Sequence, residues 1–541
     1  MKITPLSFKQ LSCEHTFSLN NEKVTFLDFQ FNLQQSLSLF QQQQSGSLLI
    51  LKTDILPEIV DEITTYFTQK NQKLKLCTEF NGDQLFGYIG YIKETQQAEI
   101  VEGILSQLDN GVLLLNVHSL LKDLSLWDKL KQALLFGEFY LEPNKKMIMQ
   151  KLSIKTTFKL ILAGSRKDIA TLTNYDESLH QFAHYTEVET ALSLNEYSLT
   201  QWGNYIQYLS KNLTTKIFSN KGLLQLLNHY IRESENQQLI SILPTQIKKD
   251  ILGISVFCAS QTQFDNIDGY FELLEKQAAT LNNYTQLEML NNQVYIGTEK
   301  EQIGQINGLS VVEFEGVPYA FGEPLRISCN TRLGDGEIVD IEHKVELGGN
   351  VHAKGIMIAE SCLAHLLELP TQLPFSASLV FEQSYGEIDG DSSSLAIFCV
   401  LVSSLAKLAL PQSIAVTGSI DQFGRVLSVG GVNQKIEGFF ALCQKRTLTG
   451  KQGVIIPESC ISHLSLHRDV INAVAEGQFH IWAVSDIFQT MELLFSTAFY
   501  DKDETENSIF SIIKENLENE QEQQSTSGTI LSKIYKKLIN S

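Results

Sequence analysis

The most informative feature of this 541-residue sequence is its shortage of basic side chains. It has 42 Lys and Arg against 62 Asp and Glu, which gives a formal net charge of −20. Binding to nucleic acid, or to an anionic membrane, through net charge is therefore not expected. A local basic patch remains open as an alternative.

The sequence also lacks paired cysteines and long apolar runs. Its eight cysteines include no C-x-x-C pair, which argues against a zinc site or a disulfide framework and is typical of a reducing cytoplasm. No apolar signal segment opens the chain, and no run of about 18 apolar residues predicts a membrane helix. We predict a cytoplasmic protein with no membrane partner and no metal site. The cysteines are Cys13, Cys77, Cys258, Cys329, Cys362, Cys399, Cys443 and Cys460.

The clearest local pattern is a strand, a polar turn and a helix. Alternate residues from Phe375 to Phe381 are apolar, which is the period of a strand with one buried face. A D-G-D turn follows, and from Ser392 an apolar run predicts a buried helix that Pro411 terminates. A serine at such a turn lies close to unpaired N–H groups of the helix N-terminus, which can hold a developing oxyanion.

Ser392 has two interpretations, a nucleophile or an ordinary helix cap. Ser or Asp before a helix is usually only an N-cap that contributes about 1 kcal/mol. A nucleophile needs a base, and no histidine lies near Ser392 in sequence, whereas Lys435 follows Gly430-Gly431 and opens a helix with apolar neighbours. Burial can lower a lysine pKa from about 10.4 toward neutrality, which permits general-base catalysis. A surface lysine with a partly buried stem is the alternative.

Two motifs at a fixed separation resemble the proteolytic domain of the Lon protease family (S16), in its LonB-type branch. They read F-E-Q-S-Y-G-E-I-D-G-D-S-S-S and A-V-T-G-S-I-D-Q-F-G-R-V-L-S-V-G-G-V-N-Q-K-I-E-G. The resemblance implies that Ser392 is the nucleophile and that Lys435 is its base. It also implies that Thr417 hydrogen-bonds around the lysine and that Asp389 is the acidic residue beside the nucleophile. From the residues alone, Thr417 could equally be a strand residue and Asp389 a turn residue.

Residues 1–195 alternate between strand and helix patterns. Apolar strands at Leu48–Leu51, Gly111–Leu115 and Phe158–Leu162, with a helix at Pro57–Phe67, predict a parallel sheet. The segment resembles, more faintly, the AAA+ ATPase module that precedes the protease in LonB-type proteins. A P-loop needs glycines before its Lys and Ser or Thr. Here the turn after the first strand reads K-T-D-I-L-P, without glycine and with an acidic residue.

Other nucleotide-binding features of the resembled ATPase are also missing. Asn116 and His118 stand where the family has an acidic pair for magnesium. Arg232 is the only arginine in residues 196–295, matches no motif for reading a γ-phosphate, and is expected to solvate a helix face. We predict a sheet retained as scaffold, with no cofactor required, although the family implies ATP and magnesium.

The predicted fold has an α/β parallel-sheet domain of degenerate AAA+ type followed by an α+β Lon-type proteolytic domain. The expected boundaries are 1–195 for the first, 196–295 for a helical lid, 300–497 for the proteolytic domain and 500–541 for a polar tail. Asp501 to Gln524 is expected to be solvated, and Ile530 to Leu538 to form an amphipathic docking helix or a frayed end. His352 is interpreted as structural.

The function predicted from the sequence is that of a serine endopeptidase that cleaves flexible or unfolded polypeptides without ATP hydrolysis. The family resemblance implies a homo-hexameric ring. Two alternatives remain open. One is an ATP-dependent Lon-type protease with an unrecognised nucleotide site, and the other is a catalytically silent scaffold or regulator with a protease fold.

Overall fold

The computed structural model describes residues 3–11, 15–20, 22–92, 97–108, 110–141, 152–334, 336–368, 373–384, 386, 388–500 and 508–519. The chain divides into two compact units. The N-terminal unit combines Phe17–Asn220 with Ser241–Asp265, and the C-terminal unit combines Met1–Thr16, Lys221–Ile240 and Asn266–Ser541. Within these described ranges, no helix has both the length and the apolar character needed to cross a membrane.

The elements up to residue 214 are short strands that alternate with helices. The strands are β1 (Leu48–Lys52), β2 (Leu74–Cys77), β3 (Gly87–Ile92), β4 (Gln97–Glu102), β5 (Val112–Asn116), β6 (Glu138–Leu141), β7 (Leu152–Lys155), β8 (Lys159–Gly164), β9 (Ala183–Glu187) and β10 (Ala191–Ser193). The helices are α1 (Phe31–Gln42), α2 (Pro57–Gln69), α3 (Gly82–Phe86), α4 (Val117–Leu120), α5 (Ser125–Phe136), α6 (Arg166–Tyr175), α7 (Leu179–Phe182) and α8 (Glu196–Thr214).

Five of these strands form a parallel sheet in the order β2-β5-β8-β1-β9. The side chains of β1 from Leu48 to Leu51 are all buried, as are those of β8. Strands covered on both faces carry continuous apolar runs rather than alternation, which is why the sequence pattern identified them. The predicted parallel sheet is confirmed, and β1, α2, β5 and β8 lie within a few residues of their predicted positions.

Residues 196–295 are mainly helical, as predicted. After α8 come α9 (Asn220–Ser234), β11 (Leu239–Ser241), α10 (Pro244–Phe257), α11 (Asp268–Ala278) and α12 (Thr280–Leu290). Helices α8 and α10 belong to the N-terminal unit, whereas α9 from Lys221 onward, α11 and α12 belong to the C-terminal unit. The boundaries of a separate lid domain stay a prediction.

The rest of the C-terminal unit is built around one mixed sheet. Its strands are β12 (Glu301–Ile303), β13 (Gln305–Val312), β14 (Phe321–Leu333), β15 (Ile338–Asp340), β16 (Phe375–Glu382), β17 (Ala409–Pro411), β18 (Ile414–Val416), β19 (Ser419–Ile420), β20 (Val426–Leu427), β21 (Gly453–Pro457) and β22 (His480–Val484). Its helices are α13 (Ile341–Lys344), α14 (Asn350–Leu366), α15 (Ser394–Ala406), α16 (Val432–Arg446), α17 (Arg468–Ala475), α18 (Ile487–Phe495) and α19 (509–519).

Seven strands of the C-terminal unit pair in the order β15-β16-β14-β13-β18-β21-β22. Because successive strand residues point to opposite faces, Val416 and Ile455 enter the core that contains α14 and α15. Ala415 and Val454 enter the core that contains α16. The sheet therefore separates α15 from α16, and each helix is held by its own apolar cluster.

The predicted strand from Phe375 to Phe381 is confirmed as β16, with its alternate apolar residues buried. The predicted termination of the following helix at Pro411 is wrong. Helix α15 already ends at Ala406, because Lys407 adopts a left-handed conformation with φ 55°, and Pro411 belongs to β17. The left-handed residue stops the helix before the proline can.

The predicted solvation of the segment from Asp501 to Gln524 is wrong for residues 508–519. These residues include α19, whose Ile509, Ile513 and Leu517 are buried in the core around α15. These three residues recur at every fourth position, and Phe510 and Ile512 of the same helix pack against this core as well. The predicted helix from Ile530 to Leu538 lies outside the described residues.

Candidate active site

Ser392 lies in the turn that enters α15, next to the carboxyl end of β18. The carbonyl oxygen of Ser392 accepts a hydrogen bond from the Gly418 N–H at 2.9 Å, and the Leu395 N–H donates to the Gly418 carbonyl at 3.1 Å. These two hydrogen bonds attach the turn to Gly418, which follows β18 and Thr417 in the chain. The rigid sheet therefore fixes the position of the Ser392 hydroxyl.

Lys435 lies in the first turn of α16, and two close approaches set the position of that helix. A Cβ atom at Gly438 would lie 2.0 Å from the Gly322 carbonyl oxygen, so α16 contacts the backbone of β14 directly. Gly431 caps α16 with φ 64°, a conformation that strains other residues, and a Cβ atom there would lie 2.4 Å from the Val311 side chain. Glycine is needed at these positions for α16 to reach its place.

Lys435 and Ser392 are in hydrogen-bond contact. The Nζ atom of Lys435 donates to the Oγ atom of Ser392 at 3.1 Å. Ser392 is half-buried, whereas Lys435 is only 4% exposed. Burial lowers the pKa of Lys435 from 10.5 to about 8, although the nearby Cys460, Asp391 and Glu235 oppose the shift. A lysine with this pKa is in part neutral near physiological pH and can accept a proton.

Glu235 is a neighbour of Lys435 that the sequence reasoning missed. One of its carboxylate oxygens accepts from the Gly431 N–H at 3.4 Å, and the other accepts from the Gln434 side-chain amide at 3.3 Å. Glu235 thus caps the N-terminus of α16 and also places a negative charge near Lys435. No local motif could have revealed it, because it lies about 200 residues earlier in the chain.

The prediction that Arg232 solvates a helix face is wrong. Its guanidinium binds the Glu437 carboxylate through two hydrogen bonds, one of 2.7 Å, and also donates to the Ser465 carbonyl at 2.9 Å. Burial alone would raise the pKa of Glu437, but Arg232 and His467 hold it below its ordinary value. A largely buried ion pair therefore joins α9 to α16, two residues from Lys435.

Thr417 and Asp389 lie close to the Ser392 turn in different ways. Thr417 is 1% exposed, and its Oγ1 atom donates to the Ser392 carbonyl oxygen at 3.4 Å. The Oδ1 atom of Asp389 accepts from the N–H groups of Val351 and His352 at 3.1 and 3.3 Å, which caps the N-terminus of α14. Thr417 contacts the nucleophile candidate directly, whereas Asp389 orders the loop before it.

The Ser392 turn also offers backbone donors. The N–H groups of Ser394 and Leu395 are already bonded, to the carbonyls of Asp391 and Gly418. Those of Ser392 and Ser393 have no hydrogen-bond partner in the described part of the chain. These two N–H groups are the candidates for stabilising an oxyanion that forms beside the Ser392 hydroxyl.

A cleft of about 1310 Å³ opens onto Ser392 and Lys435. Its lining includes the extended segment 308–314, which contains the end of β13, and residues 388–390, 392 and 393 of the loop that carries Ser392. Strand β13 pairs with β14 along its whole length but with β18 only at Asn307 and Gly308. The cleft is therefore lined by residues 309–312 of β13, which pair with β14 on one side but not with β18 on the other.

The carboxyl edge of the N-terminal sheet holds Lys52, Asn116 and His118, which the sequence analysis compared with a nucleotide site. Lys52 lies 3.5 Å from the Glu187 carboxylate. The Asn116 side chain accepts from the His118 N–H at 3.0 Å, and the His118 ring lies 3.3 Å from the Asp168 carboxylate. The polar side chains at this edge therefore contact one another.

Comparison with known proteins assigns both halves of the chain. Residues 72–188 match the family model described as "LonB-like, AAA domain", and residues 287–496 match that of the "Lon protease (S16) C-terminal proteolytic domain". These matches confirm the predicted family and both predicted fold classes. The N-terminal parallel sheet is AAA-like, and the mixed sheet is that of a Lon proteolytic domain.

Two relatives match over most of the chain, and a third matches a shorter segment. A Lon protease homolog from Haemophilus influenzae is 42% identical over 536 residues, which cover 90% of this chain and 88% of that protein. A Lon protease homolog from Escherichia coli is 40% identical over 419 residues, or 76% and 71% of the two chains. An archaeal Lon protease from Methanocaldococcus jannaschii is 31% identical over 174 residues, or 30% and 24%. Because residues 287–496 match the proteolytic-domain model, and because the chain is 42% identical to the Haemophilus influenzae protein over 90% of its length, the chain belongs to the Lon protease family.

Proposed function

We propose that this protein is a serine endopeptidase in which Ser392 is the nucleophile and Lys435 is the general base. The observation that carries the proposal is the 3.1 Å contact between a buried lysine amine and a serine hydroxyl that opens onto a cleft. The lowered pKa of Lys435, about 8, supports a base that is neutral in a useful fraction of molecules.

Acylation proceeds in two steps. Neutral Lys435 takes the proton of the Ser392 hydroxyl while Oγ forms a bond to the carbonyl carbon of the substrate. The carbonyl oxygen becomes an oxyanion, to which the N–H groups of Ser392 and Ser393 donate. The C–N bond then breaks, and the Lys435 ammonium returns the proton to the leaving amine. The products are an acyl-enzyme and a free amino terminus.

Deacylation uses the same groups in reverse roles. Lys435 takes a proton from a water molecule, whose oxygen attacks the ester carbonyl of the acyl-enzyme. The ester C–O bond breaks, the Ser392 oxygen regains the proton from Lys435, and a carboxylic acid leaves. General-base catalysis of this kind contributes about 10²- to 10⁴-fold to the rate.

The substrates we propose are flexible or unfolded polypeptides. The extended wall of the cleft at 309–312 has backbone groups that β18 does not pair, and such an edge binds an extended peptide by adding it as a strand. A folded domain does not present a free strand. Segments that are already extended are therefore the substrates that this wall favours.

We also propose that proteolysis needs no ATP hydrolysis. The proposal is supported by the turn after β1, which contains no glycine, and by the position of Lys52 beside the Glu187 carboxylate. A phosphate would have to displace that carboxylate to reach the lysine. Asn116 and His118 supply no negative charge to hold a magnesium ion at neutral pH.

The test is cleavage of casein and of a fluorogenic peptide, with and without ATP and magnesium, by the wild type, Ser392→Ala and Lys435→Ala. Ser459→Ala and Lys451→Ala serve as matched controls, since both residues are exposed and lie outside the cleft. We expect a loss of at least about 10²-fold in kcat/KM in both site variants and none in the controls.

Each remaining outcome contradicts part of the proposal. Stimulation of cleavage by ATP and magnesium would contradict ATP independence while leaving the dyad intact. Cleavage that persists in Ser392→Ala would contradict the nucleophile. Absence of cleavage by the wild type, together with no covalent labelling of Ser392, would favour the scaffold alternative.

A further inference from the structure

The cleft that contains Ser392 is strongly acidic. Among the described residues that line it, Lys435 is the only Lys or Arg. The carboxylates on its walls belong to Glu235, Glu288, Glu313, Glu323, Glu382 and Asp389. A cleft with walls of one sign focuses the electric field and attracts ligands of the opposite charge.

The cleft carboxylates differ in how far the protein compensates their charge. Glu382 lies 3.7 Å from the Arg326 guanidinium. Glu235 and Asp389 accept backbone N–H groups at the starts of α16 and α14. The other three, on Glu288, Glu313 and Glu323, have no ion-pair partner among the described residues.

Among these three carboxylates, that of Glu323 has lost part of its hydration and has no cation beside it among the described residues. It is half-buried on β14, and burial together with the charge of Glu288 raises its pKa to about 6. A carboxylate in this situation gains more from an approaching cation than a hydrated surface carboxylate does, because it has lost part of its water. An incoming Lys or Arg side chain would supply that cation.

Resting on the proposed peptidase function, we propose that the cleft selects polypeptide segments rich in Lys and Arg, and that Glu288 and Glu323 determine this specificity. Acidic segments are repelled by the same walls. The β13 segment in the cleft wall can bind the backbone of any substrate peptide, whatever the charge of its side chains. The carboxylates are therefore what distinguishes basic from acidic peptides.

The test uses three fluorogenic peptides that differ only in Lys, Gln or Glu at the positions flanking the cleaved bond. We expect kcat/KM to fall from Lys to Gln to Glu, by at least about threefold at each step, and the ratios to shrink in about 0.5 M salt. In Glu288→Gln/Glu323→Gln the preference for Lys should be largely lost. Glu476→Gln, at an exposed helix end outside the cleft, should retain it.

Binding of the same peptides to Ser392→Ala, measured by fluorescence anisotropy, separates this inference from the peptidase function. The same order of affinity, Lys above Gln above Glu, supports the inference even without hydrolysis. Equal affinities and equal kcat/KM values for the three peptides would overturn charge selection. Failure of the wild type to hydrolyse any peptide would overturn the peptidase proposal alone.

A second, independent feature is a buried cluster of Asp340, Glu342 and His352. Each residue offers one atom to a group whose members all lie within 4.8 Å of one another. His352 is 0% exposed and Glu342 4% exposed. The cluster contains no cysteine, so the cysteine spacing that argued against a zinc site does not bear on it.

Backbone N–H groups bind only one oxygen of each carboxylate in this cluster. Asp340 Oδ1 accepts the Glu342 N–H at 3.1 Å, and Glu342 Oε1 accepts the Phe381 N–H at 2.8 Å. The second oxygens, Oδ2 and Oε2, and both ring nitrogens of His352 are buried without a hydrogen-bond partner in the described chain. Buried polar atoms of this kind are costly unless something binds them.

We propose that Asp340, Glu342 and His352 bind a divalent metal ion of the Zn²⁺ or Mn²⁺ class. One imidazole and two carboxylates suit these ions, and backbone bonds that hold the outer carboxylate oxygens are typical of ordered ligands. His352 Nε2 and Asp340 Oδ2 are 3.5 Å apart. Two ligands about 2.1 Å from a tetrahedral ion are separated by a similar distance.

Such an ion would be connected to the Ser392 loop through α14. His352 belongs to α14, whose N-terminus is capped by Asp389, three residues before Ser392. The Gly349 N–H also donates to the Ile388 carbonyl at 2.8 Å, which attaches the start of α14 to the same loop. Binding of the ion would therefore stabilise the loop that precedes the nucleophile.

The test is elemental analysis of the purified protein, followed by thermal unfolding of chelator-treated protein with and without Zn²⁺ or Mn²⁺. We expect about one ion per chain and a rise in Tm on metal addition. His352→Gln should abolish both effects, whereas His365→Gln, exposed on the same helix, should not. Wild-type protein that binds neither ion and shows no change in Tm would overturn the proposal.

Discussion

The carboxyl edges of the two sheets both carry polar side chains, but their charges are compensated differently. At the N-terminal sheet, Lys52 is paired with Glu187 and His118 lies beside Asp168. At the C-terminal sheet, Lys435 is buried against the Ser392 hydroxyl and has no ion-pair partner among the described residues.

This difference bears on which of the two edges can react. Paired, partly exposed charges are stabilised by each other and by water, so they have little reason to react. A buried lysine without a carboxylate partner loses its proton more readily and destabilises the fold that holds it. The cost of Lys435 to stability is thus itself an argument for a chemical role.

The largest effect on stability is expected from the ion pair behind Lys435. Arg232→Ala leaves the Glu437 carboxylate buried without its cation, which should lower the free energy of unfolding by about 3–5 kcal/mol in urea denaturation. Peptide hydrolysis should fall as well, because α16 loses its attachment to α9. The double variant Arg232→Met/Glu437→Leu should recover most of the stability, since neither charge remains. An unfolding free energy unchanged in Arg232→Ala would contradict this description of the pair.

Replacement of Lys435 should stabilise the protein while it removes activity. The folded-state pKa, about 8, is below the ordinary value of 10.5, so the folded state binds the proton more weakly than the unfolded chain does. Below about pH 8, Lys435→Met should therefore raise the free energy of unfolding by up to about 3 kcal/mol. The gain should decrease between about pH 8 and pH 10.5 and vanish above.

The measurement is urea denaturation at pH 6.5 and at about pH 10.5, with Lys451→Met as an exposed control. Equal gains at both pH values would mean that packing rather than charge burial is responsible.

A smaller effect is expected from Glu235, whose charge acts on the pKa of Lys435. Glu235→Gln removes a negative charge that raises the pKa of Lys435, so the pKa should fall. The acid limb of kcat/KM for a neutral peptide should move to lower pH by less than about one unit. A shift to higher pH, or a matching shift in the exposed variant Glu476→Gln, would show that Glu235 does not act through the charge of Lys435.

The smallest effect is expected at the edge of the N-terminal sheet. Lys52→Ala removes an ion pair whose side chains are 29% and 40% exposed, so stability should change by less than about 1 kcal/mol. Peptide hydrolysis with and without ATP should match that of the wild type. A loss of ATP-stimulated cleavage in this variant would reveal a working nucleotide site and remove the contrast between the two edges.

Local sequence patterns identified most of the elements that carry the site. The alternation from Phe375 to Phe381 and the apolar neighbours of Lys435 fixed the period of β16 and α16, because burial of one face imposes that period. The approach of Lys435 to Ser392 was implied by family resemblance only. Nothing in the spacing itself shows that two helix starts on opposite faces of a sheet meet at one strand end.

Long-range contacts account for what the sequence could not reveal. Arg232 and Glu437 are 205 residues apart, so a single arginine on the amphipathic helix α9 gave no sign of a buried partner. The same holds for His352 on α14, whose neighbours Asp340 and Glu342 come from two other elements, β15 and α13. The early end of α15 depended on a left-handed Lys407, a residue type that has no special preference for that conformation.

Covalent labelling of Ser392 as a function of pH tests the central claim most directly. The protein would be treated with a serine-directed fluorophosphonate between pH 5.5 and 9.5, and the modified residue and its rate would be determined by peptide mass spectrometry. We expect the label on Ser392, at a rate that rises with pH around a midpoint near 8 and falls by at least about 10²-fold in Lys435→Met. Labelling of a different serine, or a Ser392 rate that Lys435→Met leaves unchanged, would contradict the Ser392–Lys435 dyad.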